Sequence, residues 1–197
     1  MTLIEATVVL AVTAILVAVS APVASRSVDT ARLTRAQEDT DAIAEAIDNF
    51  IADFAFTPFT VNGLSTGTTV QMLVSDGDIP LVVTGGGAEW DDVVNTAAAA
   101  PVDFLERHLV TNTPAYTTAG AAPWRGAYIS SPVDPDPWGN RYAVNVLYLR
   151  TSTSNDVFVY SAGPDEEVNT LFTLNGATPG NDDIISIIRR DLGKTVP

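Results

Sequence analysis

The chain contains no cysteine. That absence removes disulfides, thiol nucleophiles and cysteine metal sites together, and it leaves the compartment open, because exported proteins need not carry disulfides. Basic side chains are scarce. There are 10 Lys and Arg, with Lys194 the single lysine, against 24 Asp and Glu, giving a net charge of −14. Such a surface repels phosphate backbones, which argues against direct nucleic-acid binding, and it resists aggregation. The chain has one histidine, His108, so a zinc site lacks its usual ligands. No phosphate-cradling G-x-x-x-x-G-K-S/T stretch or dinucleotide G-x-G-x-x-G stretch occurs. Any assembly this chain joins must therefore be powered by a separate ATPase.

One hydrolase-like pattern is present. GLSTG at 63 to 67 matches G-x-S-x-G, and Asp76, Asp103 and His108 follow in the order acid, acid, base. A nucleophile elbow needs a large parallel sheet ahead of its serine, and too few strand signals precede Ser65. The glycine-rich stretch TGGG at 84 to 87 also follows the serine, where an oxyanion hole would have to precede it. GLSTG reads better as a turn in a segment rich in Gly, Ser and Thr.

At 197 residues, 46% of them hydrophobic, with 12 prolines and 13 glycines, the chain suits one turn-rich domain plus an appendage. The appendage is N-terminal. Between Glu5 and Arg26 lie 20 uncharged residues, ATVVLAVTAILVAVSAPVAS, enough in a helix to cross a hydrocarbon core of about 30 Å. A secretory signal, a plain membrane anchor and a buried core helix compete for this run. The signal reading lacks a basic n-region, because the first ionised side chain is Glu5. The anchor reading is strained by Arg26, Arg32 and Arg35, which follow the span and would draw the large domain to the cytoplasmic side. A short basic leader, cut away ahead of Met1, would resolve that conflict. Glu5 itself is an acid in an apolar run, costly unless neutralised and so usually functional. A freshly cleaved α-amino group, belonging to a neighbouring subunit in an assembly, is a fitting partner.

The string MTLIEATVVLAVTAILVAVSAP resembles the mature N-terminus of class III signal proteins, the type IV pilins and type II secretion pseudopilins. The resemblance implies cleavage just before Met1 by a prepilin peptidase, N-methylation of Met1, and a role for Glu5 in subunit docking. It also implies local loosening of the helix at Pro22, which independently lacks the backbone N–H a helix needs.

From Ser27 onward the pattern turns amphipathic, with Ala36, Ile43, Ile47, Phe50, Ile51 and Phe54 on one helical face. Thr57-Pro58 is the expected helix end. Residues 1–56 thus read as one helix, 1–25 for the membrane or a filament core and 26–56 for packing on a head. The head spans 57–197, with an insertion around 81–123. Within it the pattern predicts short helices over 70–74 and 102–109, then strands over 127–130, 141–149 and 156–161. Helix first and strands last imply an α+β fold, the long helix packed on a small antiparallel sheet.

WRGAYISSPVDPDPWGNRY at 124–142 and DVFVYSAGPDEE at 156–167 sharpen the resemblance towards the major pseudopilin of type II secretion systems. In Asp136-Pro137-Trp138-Gly139-Asn140, Pro137 fixes φ, Gly139 permits a turn and Trp138 is expected to anchor it. The resemblance further implies a calcium ion on the acidic loop after the 156–161 strand, with Asp165 and Asp182 or Asp183 as the aligned ligands. The implied partners are copies of the chain itself in a homopolymeric helical filament, the prepilin peptidase, an assembly ATPase and an inner-membrane platform. The implied location is the bacterial inner membrane for the precursor, then a periplasmic pseudopilus or a cell-surface fibre. A membrane-anchored binding module that does not polymerise is the alternative.

Overall fold

The computed structural model describes residues 2–54, 59–60, 69–82, 90, 102–121, 123–149, 155–176 and 178–188, without the side chains of 19–22. The chain separates into two compact units, Met1–Arg35 and Ala36–Pro197.

Helix α1 is assigned without interruption over Leu3–Phe54. Its portion in the first unit is long and apolar enough to span a membrane. Leu3 and Leu10 are 83% and 70% exposed, so no described residue covers these apolar side chains. The hydroxyls in this stretch turn back onto their own helix. Thr13 donates to the carbonyl of Val9 at 2.7 Å and Ser27 to that of Val23 at 3.0 Å. A hydroxyl satisfied this way carries little penalty into an apolar environment.

In the second unit the apolar stripe of α1 is buried as its spacing predicts, at Ala36, Ile43, Ile47, Phe50 and Phe54. Phe50 stacks on Phe54 and Phe59, with ring centroids 4.6 and 4.5 Å away. The stripe packs into one core with a five-stranded sheet. Its strands are β1 (Met72–Val74), β3 (Val102–Phe104), β4 (Ala143–Val144), β5 (Val157–Ser161) and β7 (Ile184–Ile188), in the order β3-β1-β4-β5-β7. A separate parallel pair joins β2 (Leu81–Val82) to β6 (Glu167–Val168).

Several details differ from the sequence pattern. The sheet is mixed rather than wholly antiparallel, because β1 and β3 run parallel while the β1/β4, β4/β5 and β5/β7 pairs are antiparallel. Parallel neighbours need a long crossover, and residues 75–101 separate the two strands in the chain. The segment expected to be a helix over 70–74 contains strand β1, all three of whose residues are buried. A short apolar run has the same periodicity in either state. The helix expected over 102–109 divides into β3 and the five-residue α2 (Leu105–Leu109). Residues 127–130 form no strand, and 141–149 yields only β4 and a 3₁₀ turn over Val146–Leu149. The expected helix end at Thr57-Pro58 lies outside the described residues.

Candidate assembly and ion-binding sites

Met1 lies outside the described residues, and Glu5 is placed by its own helix. The backbone N–H of Thr2 donates to Glu5 Oε2 at 2.7 Å, and the N–H of Glu5 donates to Thr2 Oγ1 at 3.4 Å. This is a reciprocal capping box, in which both side chains satisfy helix-start donors that have no partner within the helix. The T-x-x-E spacing at 2–5 announces it, and Thr2 was the residue that reasoning about Glu5 alone overlooked. An anionic side chain at a helix N-terminus also sits favourably in the helix dipole. The backbone of α1 runs as helix through Pro22, the position of the expected loosening, whose side chain lies outside the described residues.

The turn over Asp136–Asn140 is organised by its first residue. Asp136 Oδ1 accepts the N–H groups of Trp138 at 3.0 Å and Asn140 at 2.9 Å, and Oδ2 accepts the hydroxyl of Ser161 at 2.7 Å. Backbone bonds from Gly139 N–H to the Asp136 carbonyl and from Asp136 N–H to the Asn140 carbonyl close the ring. Gly139 has φ of +100°, a conformation costly for a residue with a Cβ. Asp136 and Asn140 are buried, while Pro137 and Trp138 are only half-buried. The anchor is therefore the aspartate and its hydrogen bonds, with the tryptophan secondary. Burial pushes the Asp136 carboxyl above its ordinary value, against the hydrogen bonds from Ser161, Asn140, Trp138 and Gly139.

The three acids expected at an ion site separate into two groups. Asp165 and Asp182 converge: Asp165 N–H donates to Asp182 Oδ2 at 3.3 Å, and Asn181 Nδ2 donates to Asp165 Oδ2 at 2.6 Å. Asp182 Oδ1 is buried without a hydrogen-bond partner. Burial first, and then contact with Asp165, push the Asp182 carboxyl above its usual range. Gly163 lies directly beneath, where a Cβ would come within 2.4 Å of the Asp182 carbonyl oxygen. Asp183 points the other way, into the core. Its Oδ1 accepts Tyr160 Oη at 3.1 Å, and its Oδ2 accepts Thr170 Oγ1 at 2.5 Å and Asn169 N–H at 3.1 Å. Burial pushes Asp183 up to about 6, against the hydrogen bonds it accepts.

An orphaned carboxylate oxygen beside a second carboxylate is the donor set a hard cation requires. Asp165 and Asp182 fit calcium on that ground, with only Asp182 offering a free oxygen. Asp165 accepts Glu167 N–H at 3.0 Å on Oδ1 and Asn181 Nδ2 on Oδ2, but it is exposed, where a cation can replace those donors. Asp183 does not fit, being buried with both oxygens engaged inside the head. No cluster of three His, Cys, Asp or Glu side chains suited to a metal occurs among the described residues. The remaining ligands would have to be carbonyl oxygens, the Asn181 side chain or water.

The acid–base pair noted in the sequence does form, deep inside the head. His108 Nε2 donates to Asp103 Oδ2 at 3.1 Å, and its Nδ1 lies 2.7 Å from Tyr116 Oη. Arg107 Nη1 donates to Asp103 Oδ1 at 2.6 Å. Burial pushes Asp103 up, but the bonds from His108, Phe104 N–H and Arg107 prevail and hold it below its ordinary value. His108 is 0% exposed, and both of its ring nitrogens are engaged. A base sealed this way cannot meet a substrate, and the dyad's evident work is to tie α2 to β3 and to Tyr116. Ser65 and the GLSTG stretch lie outside the described residues.

A family model described as Type II secretion system (T2SS), protein G, matches residues 106–173. The match covers about a third of the chain and includes the Asp136–Asn140 turn, β5 and Asp165. It supports a pseudopilin-like family, a structural one whose secretion role accords with the apolar helix at the N-terminus. The long helix followed by a small mixed sheet is the α+β arrangement of the pilin fold. No curated protein and no solved structure matches the chain.

Proposed function

We propose that this chain is a filament subunit of the pilin type, inserted in the bacterial inner membrane and then packed helix against helix into a pseudopilus. The observation that carries this reading is the first unit: an apolar helix exposed at nearly every described side chain, attached to a head of which residues 106–173 match the pseudopilin model. Such a helix requires either lipid or copies of itself around it. Exchange from one to the other needs no new fold.

In this reading a prepilin peptidase frees and N-methylates Met1, and Glu5 docks against the terminus of a neighbouring copy. An ATPase and an inner-membrane platform drive assembly. Asp165 and Asp182 hold calcium, which would neutralise two facing carboxylates and fasten the loop after β5 to β7. A secretion pseudopilus is favoured over a surface pilus because the matched residues include the Asp136 turn and the start of that loop.

A second reading has one observation in its favour. Glu5 is already satisfied by Thr2 within its own chain, so a membrane-anchored binding module that never polymerises needs no neighbour to neutralise it. Glu5→Gln separates the two. The amide oxygen still accepts the Thr2 N–H, while the charge is lost. The filament reading expects normal membrane insertion and a loss of filaments. Undiminished filaments would overturn the docking role of Glu5, and a wild-type chain that stays unpolymerised with its assembly machinery present would favour the anchor.

A further inference from the structure

The head is strongly acidic. From Ala36 onward the sequence carries 22 acidic against 7 basic residues. Copies of such a head repel one another unless positive charge lies between them. The stretch from Arg26 to Arg35 supplies it, with three arginines and a single acid, Asp29. Arg26 and Arg32 are exposed and form no ion pair among the described residues. Beside them stand Val28 and Leu33, 52% and 42% exposed. The spacing of Val28 and Arg32, one helical turn, puts an apolar and a cationic side chain on the same face.

The head carries a surface of matching character. Ile79 is 46% and Leu81 67% exposed, on a segment where Asp76 and Asp78 are exposed too. The Leu81 N–H donates to the Glu166 carbonyl at 2.9 Å, which brings exposed Glu166 alongside. The carboxylates of Asp76, Asp78 and Glu166 have no hydrogen-bond partner or counter-ion among the described residues. Leu81 also sits in a parallel pair only two residues long, a structure with little stability of its own. Covering it would strengthen it. The residue just before this segment is tied to α1 within the head: Ser75 N–H bonds the Tyr142 carbonyl, and Tyr142 Oη bonds Asp39.

We propose that Ile79 and Leu81, rimmed by Asp76, Asp78 and Glu166, form a docking surface for the Arg26–Arg35 stretch of a second copy of this chain. The inference rests on the filament reading and adds to it a contact between head and helix. Val28 covers the two exposed apolar side chains, and Arg32, one turn further along the same face, meets the three free carboxylates. Each exposed pair contributes little alone, so the contact is cumulative and salt-dependent.

A cysteine-free chain makes the test direct. Two singly substituted copies are expressed together with the assembly machinery, one Leu81→Cys and the other Val28→Cys, and mildly oxidised. Both positions are exposed, so neither substitution disturbs the core. The expected result is a disulfide-linked dimer of the two variants in the assembled fraction. In parallel, Asp78→Arg should lower the assembled fraction about fivefold at low ionic strength, and Arg32→Glu should act alike, with the double variant recovering most of the loss. Filaments that form normally without the cross-link, and that ignore both reversals, overturn this contact and leave the filament reading standing. Absence of filaments from the wild-type chain overturns the filament reading itself. Cross-linking of Leu81→Cys to Arg190→Cys within one chain would assign the surface to the chain's own basic tail, and cross-linking to an unrelated protein would assign it elsewhere. Either result overturns the proposal.

Discussion

Ser161, the last residue of β5, donates its hydroxyl to Asp136 Oδ2 at 2.7 Å, and so fastens the Asp136–Asn140 turn to the end of a central strand. Its oxygen meanwhile accepts the Gly163 N–H at 3.3 Å, at the start of the acidic loop. One hydroxyl therefore links the turn to the loop.

Asp136→Ala is expected to destabilise the head by about 2–3 kcal/mol, because it leaves the buried Asn140 N–H, the half-buried Trp138 N–H and the Ser161 hydroxyl without an acceptor. Ser161→Ala removes the bond to Asp136 and the longer one from Gly163 N–H, leaves the carboxylate two other donors, and should cost about 1 kcal/mol. In thermal unfolding of the detergent-solubilised chain the first should lower Tm by about 5–10 °C and the second by about 2–4 °C. Equal effects would show that Ser161, not the aspartate, organises the turn.

The fold class was legible because its two signals are long: an uncharged 20-residue run, then an apolar stripe from Ala36 to Phe54 that the structure buries at nearly every expected position. Glu5 stood out by chemistry alone, as an acid ahead of an apolar run. Shorter elements were not legible. Met72, Leu73 and Val74 are all buried, so β1 shows no alternation to separate it from a helix, and β4 is only two residues long. The site residues divided for a related reason. Asp165 and Asp182 face one another while Asp183, adjacent to Asp182, faces the core, and a run of consecutive acids does not disclose which way each points. Side chains in a strand alternate, and with Ile184, Ser186 and Ile188 buried in β7 that pattern would turn Asp183 outward; the turn closed by Asp183 N–H on the Gly180 carbonyl breaks it.

The head should grow less stable as pH rises from about 4 to 7. Asp183 is raised to about 6 when folded and Asp136 and Asp182 are raised as well. For these groups the folded state binds the proton more tightly than the unfolded state. Their contribution is therefore full below the ordinary carboxylate value and is lost as pH climbs through the folded one. Asp103 has the opposite sign, being held low. Its contribution is present above the ordinary value and is lost as pH falls below about 4. Melting temperature against pH should thus peak in mildly acidic solution. Asp183→Asn should flatten the slope between pH 4 and 7, removing about 1–3 kcal/mol of pH dependence, whatever its effect on absolute stability. An unchanged slope would show that Asp183 ionises freely in the folded head.

Thr2→Ala should loosen the start of α1 by about 1 kcal/mol through loss of one half of the capping box. Glu5 would then be free to reach a neighbour. If the intrachain bond competes with docking, assembly by Thr2→Ala should fall much less than by Glu5→Ala. If the cap orients Glu5 for docking, the two should fall together. Quantifying sheared or detergent-resistant filaments for both variants distinguishes a competing bond from a positioning one.

Calcium is expected to raise the melting temperature of the wild-type head, since a ligand that binds only the folded state stabilises it by mass action. At about 100 times its dissociation constant the gain is about 2.7 kcal/mol, and the chelated protein should show none of it. Asp182→Ala should abolish the shift, because Asp182 supplies the orphaned buried oxygen, and Asp165→Ala should do the same. Asp183→Asn should retain it, because that side chain is held by Tyr160, Thr170 and Asn169. Gly163→Ala gives an independent check. Its φ is +69°, and the added methyl would meet the Asp182 carbonyl oxygen at 2.4 Å, so the loop must shift and the calcium response should weaken with both acids intact. A wild-type melting temperature indifferent to calcium and chelator would mean that no ion binds there and that Asp182, raised by burial and by its contact with Asp165, keeps its proton instead. In that case lowering the pH, in place of adding the ion, should tighten the loop.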